Sequence, residues 1–129
     1  MGTGAYGKHQ EFRNFEVQLA ELATDVGTVT TTSEAGTLND CMGIVTTNAL
    51  DAAAGAEETI VLTNSKVSAS DIVLATIIGG TSAGTPILLK AVPAAGSITF
   101  TLKNDHSSTS FNGTVIIAYV VIRALSGIV

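Results

Sequence analysis

From residue 27 onward the apolar residues come in short runs, rich in Val, Ile and Thr, that are broken every ten residues or so by Gly, Asn, Ser or Pro. This is the punctuation of strands joined by tight turns. The pattern predicts strands over 26–32, 42–47, 59–63, 72–78, 87–92, 98–102 and 115–123, with a turn over 36–40 joining the first two. Within 59–63, Ile60 and Leu62 alternate against Thr59, Val61 and Thr63, as on a half-buried strand. Gly79 and Gly80 stop the fourth run, and Pro86 and Pro93 bracket the fifth. Asn112-Gly113 is the strongest hairpin signal, because a type I′ turn needs positive φ at both central positions. The Ala-rich stretch 49–56 reads as a loop with room for one helical turn. Seven or eight short strands without an intervening helix describe an all-β fold, a β-sandwich of jelly-roll-like kind, over residues 27–129.

Residues 1–26 break the pattern. Phe12, Phe15, Leu19 and Leu22 recur at roughly helical spacing, yet Phe15, Val17 and Leu19 also alternate as a strand does, so the periodicity leaves both open. The segment holds three of the six aromatic residues and collects Lys8, Glu11, Arg13, Glu16 and Glu21. It is expected to be an N-terminal arm, helical or extended, that finds its surface on assembly. Tyr6, Phe12, Arg13 and Phe15 are its candidate partner-binding residues, since aromatics and Arg are enriched at interface hot spots.

Composition sharpens this picture. Only 13% of the 129 residues are charged, against roughly 25% in an ordinary globular domain, so the surface is poorly defended against association. A net charge of −5 with six scattered basic residues excludes a phosphate-backbone partner as an expectation. The single cysteine, Cys41, makes no internal disulfide and reads as a small buried hydrophobe. No signal peptide opens the chain, and the longest late apolar run, around Tyr119, is less than half a membrane-spanning length. A soluble chain that folds in a cytoplasm, with neither membrane nor nucleic acid as partner, is therefore expected.

Each motif that hints at chemistry fails on context. Gly2-Thr3-Gly4-Ala5-Tyr6-Gly7 matches the dinucleotide pattern, but no strand precedes it, and His9 stands where a phosphate-binding loop needs Ser or Thr. Asp105-His106 beside Ser107, Ser108 and Ser110 has the residue types of a hydrolytic triad without a nucleophile elbow, and reads as a polar turn. His9, His106 and Cys41 lack zinc spacing, and no calcium-loop pattern frames Asp51, Glu57 and Glu58. Asn112-Gly113-Thr114 is a formal glycosylation acceptor with no secretion signal. The expectation is a chain without catalytic residues, cofactor or metal.

The runs Gly43-Ile44-Val45-Thr46-Thr47-Asn48-Ala49-Leu50, Leu62-Thr63-Asn64-Ser65, Leu102-Lys103-Asn104-Asp105-His106 and Phe111-Asn112-Gly113-Thr114 carry a resemblance. The chain resembles small virion structural proteins of tailed bacteriophages, particularly those of cyanobacteria and other aquatic bacteria, over about residues 27–123. The resemblance implies a homotrimer on the outer surface of a capsid, where it acts as a decoration or cement protein bound to the major capsid protein. A tail, fibre or head-projection module that binds host surface glycan is the competing reading.

Overall fold

A computed structural model of the chain describes residues 26–123. Eight strands follow one another: β1 (Gly27–Thr30), β2 (Ala35–Thr37), β3 (Met42–Thr46), β4 (Glu57–Thr63), β5 (Ile72–Gly80), β6 (Pro86–Ala94), β7 (Ser97–Asn104) and β8 (Val115–Ile122). They form two four-stranded sheets. Sheet A has the order β1-β3-β8-β5 and sheet B the order β2-β4-β7-β6. The chain crosses between sheets at every connection except β6 to β7, and two faces laid together in this way make a β-sandwich. Each sheet carries one parallel pair, β1 with β3 and β2 with β4; the remaining pairs are antiparallel.

The alternation expected of the strands decides what is buried. On β4, Ile60 and Leu62 are fully buried, while Val61 between them is 41% exposed. Phe100, Ile98 and Leu102 of β7 meet Val115, Ile117 and Tyr119 of β8 from the opposite sheet, and these residues form the centre of the core. The Phe100 and Tyr119 rings lie 6.1 Å apart between centroids, tilted by 49°. Tyr119 stands directly across from Gly43, and a Cβ at Gly43 would sit 2.8 Å from the ring, so the glycine makes room for the tyrosine.

Three expectations are corrected. The 36–40 turn is instead strand β2 followed by a connection, and the tight turn falls earlier, at Ser33-Glu34, with φ of 49° and 59°. Thr32 and Ala35 exchange backbone hydrogen bonds of 2.8 and 3.1 Å across it. Two non-glycine residues in the left-handed region are held there by Asn48. Its Oδ1 accepts from the Glu34 N–H (2.9 Å) and the Thr31 hydroxyl (2.7 Å), and its Nδ2 donates to Glu34 Oε1 (2.8 Å). Asn112-Gly113 makes no hairpin, because β7 and β8 lie in different sheets and neither residue has positive φ. Gly79 and Gly80 are the last two residues of β5 rather than the start of the loop after it, and a register shift falls between Ile77 and Gly79.

Pro86 and Pro93 lie inside β6 rather than outside it. An edge strand tolerates them, since its outer side has no ladder to supply. Residues 49–56 form a loop containing one turn, closed by the Ala56 N–H on the Ala53 carbonyl (2.9 Å). The connections 31–34, 47–56, 81–85 and 105–114 gather at one end of the sandwich. The connections 38–41, 64–71 and 95–96 gather at the other, together with Val26 and Arg123, the two limits of the described chain.

Candidate functional site

The polar loops at the first end contain every described residue of the triad-like cluster, and their hydrogen bonds give those residues structural work. His106 Nδ1 accepts the backbone N–H groups of Ser108 (3.1 Å) and Thr109 (2.9 Å), so that nitrogen caps a turn. Asp105 faces Lys103 at 3.4 Å on the surface, away from any relay to the histidine. Beneath them the buried side chain of Asn104 binds four backbone groups from three loops. Its Nδ2 donates to the carbonyls of Ala52 (3.1 Å) and Thr109 (2.7 Å), and its Oδ1 accepts from the N–H groups of Thr85 (3.1 Å) and His106 (3.2 Å). A backbone-like hub of this kind sets loop positions and offers no reactive atom.

An open groove of about 650 Å³ beside these loops is lined by Glu34, Asp51, Glu57 and Glu58. Burial, and then the neighbouring Asp51 and Glu34 charges, push the Glu58 carboxyl above its ordinary value, against hydrogen bonds from the Ala52 and Asp51 backbone. Among the described residues no group of three or more His, Cys, Asp or Glu side chains is arranged to hold a metal ion. Cys41 and His106 lie at opposite ends of the sandwich, and His9 lies outside the described residues.

At the other end, Tyr119 and Asn64 close the sandwich. The phenol donates to the Asp40 carbonyl (2.8 Å), and Asn64 Nδ2 donates to the same carbonyl (2.7 Å) and to the phenol oxygen (3.2 Å). Burial, then the nearby Asp40 and Cys41, push the Tyr119 phenol up to about 12, against the hydrogen bond from Asn64. Folding thus favours the neutral phenol. The stability it contributes is intact below the ordinary tyrosine pKa of about 10 and is lost as the pH rises through about 12. In an alkaline absorbance titration the phenol of Tyr119 is therefore expected to ionise well after that of a tyrosine in the unfolded chain. Near this end, Asp71 is held below the usual carboxylate range, first by the Ser68 backbone N–H (2.9 Å) and then by Arg123 (3.6 Å). Its contribution is present at neutral pH and is lost as the pH falls below that range.

The outer face of sheet A differs in character from the polar loops. None of its four strands contains a charged residue. Sheet B carries Glu57, Glu58, Lys90 and Lys103 in its strands. On sheet B the outward pairs are Glu57 with Lys103, Thr59 with Thr101, Val61 with Thr99 and Thr63 with Ser97, and β6 adds the exposed Ile87, Leu89 and Val92, so this face mixes charged, polar and apolar residues. On sheet A they are Ile72 with Ile122, Leu74 with Val120 and Met42, and Thr76 with Ala118 and Ile44.

No family model, curated protein or solved structure matches this chain. The site is therefore read from its geometry. Ile72, Leu74 and Ile78 of β5 are each more than half exposed, and Ile122 nearly so. A shallow apolar depression of about 360 Å³ lies among them, lined by Leu74, Thr76, Ala118 and Val120 with the flanking Ala75 and Tyr119. The face grades from these aliphatic residues at β5 and β8 to the threonines Thr28, Thr30 and Thr46 at β1 and β3. Strands of four, five, eight and nine residues present a face of roughly 400 Å² from strand spacing and rise. That is within the roughly 300–600 Å² of the largest apolar patch on a typical monomer, and about half of one side of a standard protein interface.

The sequence reading assigned partner contact to Tyr6, Phe12, Arg13 and Phe15, all of which lie outside the described residues. It missed the sheet A face. The signal was present as the absence of charge from the runs at 42–47, 72–78 and 115–122, but only the strand order shows that these runs are neighbours in one sheet.

Proposed function

We propose that this chain is a non-enzymatic structural protein of a virion, which forms a homotrimer through the outer face of sheet A and decorates a capsid as a cement protein. The observation that carries the assembly reading is the contrast between the two outer faces: that of sheet A has no charged strand residue, and that of sheet B has three, Glu57, Lys90 and Lys103. In a chain of net charge −5, an uncharged face lets copies meet without like-charge repulsion. The capsid reading is supported by the resemblance to phage virion proteins. In it, the major capsid protein is the partner, and Tyr6, Phe12, Arg13 and Phe15 of the arm make the contact. Many copies on a shell convert weak contacts into high avidity. A glycan-binding module would draw on an exposed aromatic platform, and the three described aromatics, Phe100, Phe111 and Tyr119, are all buried.

Light scattering of the full-length protein tests this, alone and after incubation with empty capsids. The wild-type chain is expected at three times its chain mass and to co-sediment with shells. Leu74→Lys with Ile122→Lys buries unpaired ammonium groups at each interface, costing about 3–5 kcal/mol per uncompensated charge, and is expected to yield folded monomers. Thr99→Lys, on the outer face of sheet B, is expected to remain a trimer. A wild-type monomer, or a double variant that stays trimeric, contradicts assembly through sheet A. A trimer that ignores capsids contradicts the cement role.

A further inference from the structure

The sandwich has four edge strands, and three of them are guarded against pairing with another chain. β1 and β2 are only four and three residues long. β6 is nine residues long but carries Pro86, Pro93 and the charged Lys90, and it is bulged between Leu88 and Lys90. β5 has nine residues, no proline and no charge, and runs in regular register from Ile72 to Ile77. The ladder around it fixes what this edge presents. The Val121 N–H donates to the Cys41 carbonyl (2.7 Å) and the Thr47 N–H to the Val115 carbonyl (2.9 Å), so the odd-numbered residues of β8 direct their backbone groups at β3. The even-numbered ones serve β5, as the Thr114 carbonyl just before β8 serves Thr81 and Ser82 (2.8 and 3.0 Å). Their partners on β5 are Ile72, Leu74 and Thr76. Val73, Ala75 and Ile77 therefore aim three N–H and three carbonyl groups outward, where no strand among the described residues pairs with them. Such an edge is a template for strand addition.

We propose that β5 pairs with β5 of a second copy, antiparallel about a two-fold axis at Ala75, and so joins two copies of sheet A edge to edge. The pairing segment is bounded by the start of the strand at Ile72 and by the bulge at Ile78, and its middle residue is Ala75. About that residue the segment is nearly palindromic: Ile72 matches Ile78, Val73 matches Ile77, and Leu74 matches the smaller Thr76. An isologous contact needs a surface complementary to itself, which is why a second copy is the occupant. In this register Ala75 opposes the partner's Ala75, and Val73 opposes the partner's Ile77. Each such pair exchanges two hydrogen bonds, so all six outward groups of each copy are satisfied. On the outer face Leu74 meets the partner's Thr76 and Ile72 meets the partner's Ile78, which covers the three β5 side chains that are more than half exposed. The strand carries no charge, so copies of net charge −5 meet there without a like-charge contact. The contact is small. Seven strand residues are about 23 Å long and a sheet layer is about 10 Å thick, which gives roughly 230 Å² a side against about 800 Å² in a standard interface. The pair is therefore weak in dilute solution and takes effect where many copies are held side by side. It does not rest on the trimer, but in a trimer three such edges link it to its neighbours.

Disulfide trapping of the full-length chain tests the proposal, in a Cys41→Ser background that removes the native thiol. The Cα atoms of an opposed, hydrogen-bonded pair lie about 5.5 Å apart, within disulfide reach. Ala75→Cys is therefore expected to give a two-chain band on a non-reducing gel after mild oxidation. Ile77→Cys is expected to give a band about tenfold weaker or none, because its two copies stand about 13 Å apart along the strands in this register. Ala75 lies on the inward side of β5, packed on the core, so contact through the outer face of sheet A does not produce the band. Amide exchange of the wild-type chain is the second readout. The amides of Val73, Ala75 and Ile77 are expected to exchange about threefold or more slower in a concentrated sample than after a roughly hundredfold dilution, with Leu74 and Thr76 protected in both. Equal bands from the two cysteines, or no band from Ala75→Cys, overturn the register. Outward amides that ignore dilution overturn the pairing itself, whether they exchange freely throughout or are protected throughout by the rest of their own chain. A trimer in light scattering without the edge pair sinks this inference and spares the assembly reading, whereas an edge pair between chains that form no trimer does the reverse.

Discussion

Asn104→Ala is expected to destabilise the fold by about 4 kcal/mol, a large part of the 5–15 kcal/mol that holds a domain of this size together. The side chain is fully buried and makes four hydrogen bonds, to Ala52, Thr85, His106 and Thr109. Alanine leaves two carbonyls and two N–H groups of three separate loops without that partner. Each orphaned group costs about 1–3 kcal/mol where water cannot reach it. The loops are partly exposed, which brings the sum down. Asn104→Asp keeps the two accepted bonds but sets a carboxylate against the Ala52 and Thr109 carbonyls, so it is expected to be no better than alanine. Gly84, at φ +83°, lies so close that its Cβ would stand 2.7 Å from Asn104 Oδ1. Chemical denaturation with hydrogen exchange checks this: lost stability should come with faster exchange in 81–85 and 105–114 and unchanged exchange in 95–96.

Phe100→Ala is expected to cost about 4 kcal/mol as well, by a different route. The ring is fully buried in β7 at the interface of the two sheets, paired with Ile60 and Ala91 across the strands and touching Tyr119 from sheet A. With no tryptophan and four phenylalanines in the whole chain, there is little aromatic volume to refill the space. The loss combines the transfer free energy of the ring with the cavity left behind. Because Phe100 and Tyr119 are in contact, Phe100→Ala with Tyr119→Phe is expected to depart from additivity by about 0.5 kcal/mol or more. A denaturation midpoint that falls without a change in slope would place the effect in the folded state.

The strands were legible because period-two alternation is a local property. Ile60 and Leu62 against Val61 already states which side of β4 is buried. The turns were less so. Asn112-Gly113 has the composition of a type I′ turn, but its neighbours belong to different sheets, so the chain crosses the sandwich where a hairpin would have doubled back. The true type I′ geometry fell on Ser33-Glu34, whose intrinsic preference is against positive φ. The clamp that overrides it, Asn48, lies fourteen residues from Glu34, beyond any local reading. The parallel pairings of β1 with β3 and of β2 with β4 leave no mark in the sequence at all.

For the candidate surface the same division holds. That few charges would leave part of the surface open to association was evident from composition. Which part required knowing that β3, β5 and β8 share a sheet.

The placement of both limits of the described chain at one end of sheet A sets how the domain bears load. β1 and β8 are separated by β3 alone, and a pull applied between Val26 and Arg123 acts across the strands, along the direction of their ladder hydrogen bonds. Those bonds then break one at a time from the Gly27–Gly43 end, as a zip opens. A pull between Val26 and the loops at the far end runs along the strands instead, and loads the bonds of β1 on β3 together. The sandwich is thus weak to a pull between the two limits of the described chain and strong to one along its strands.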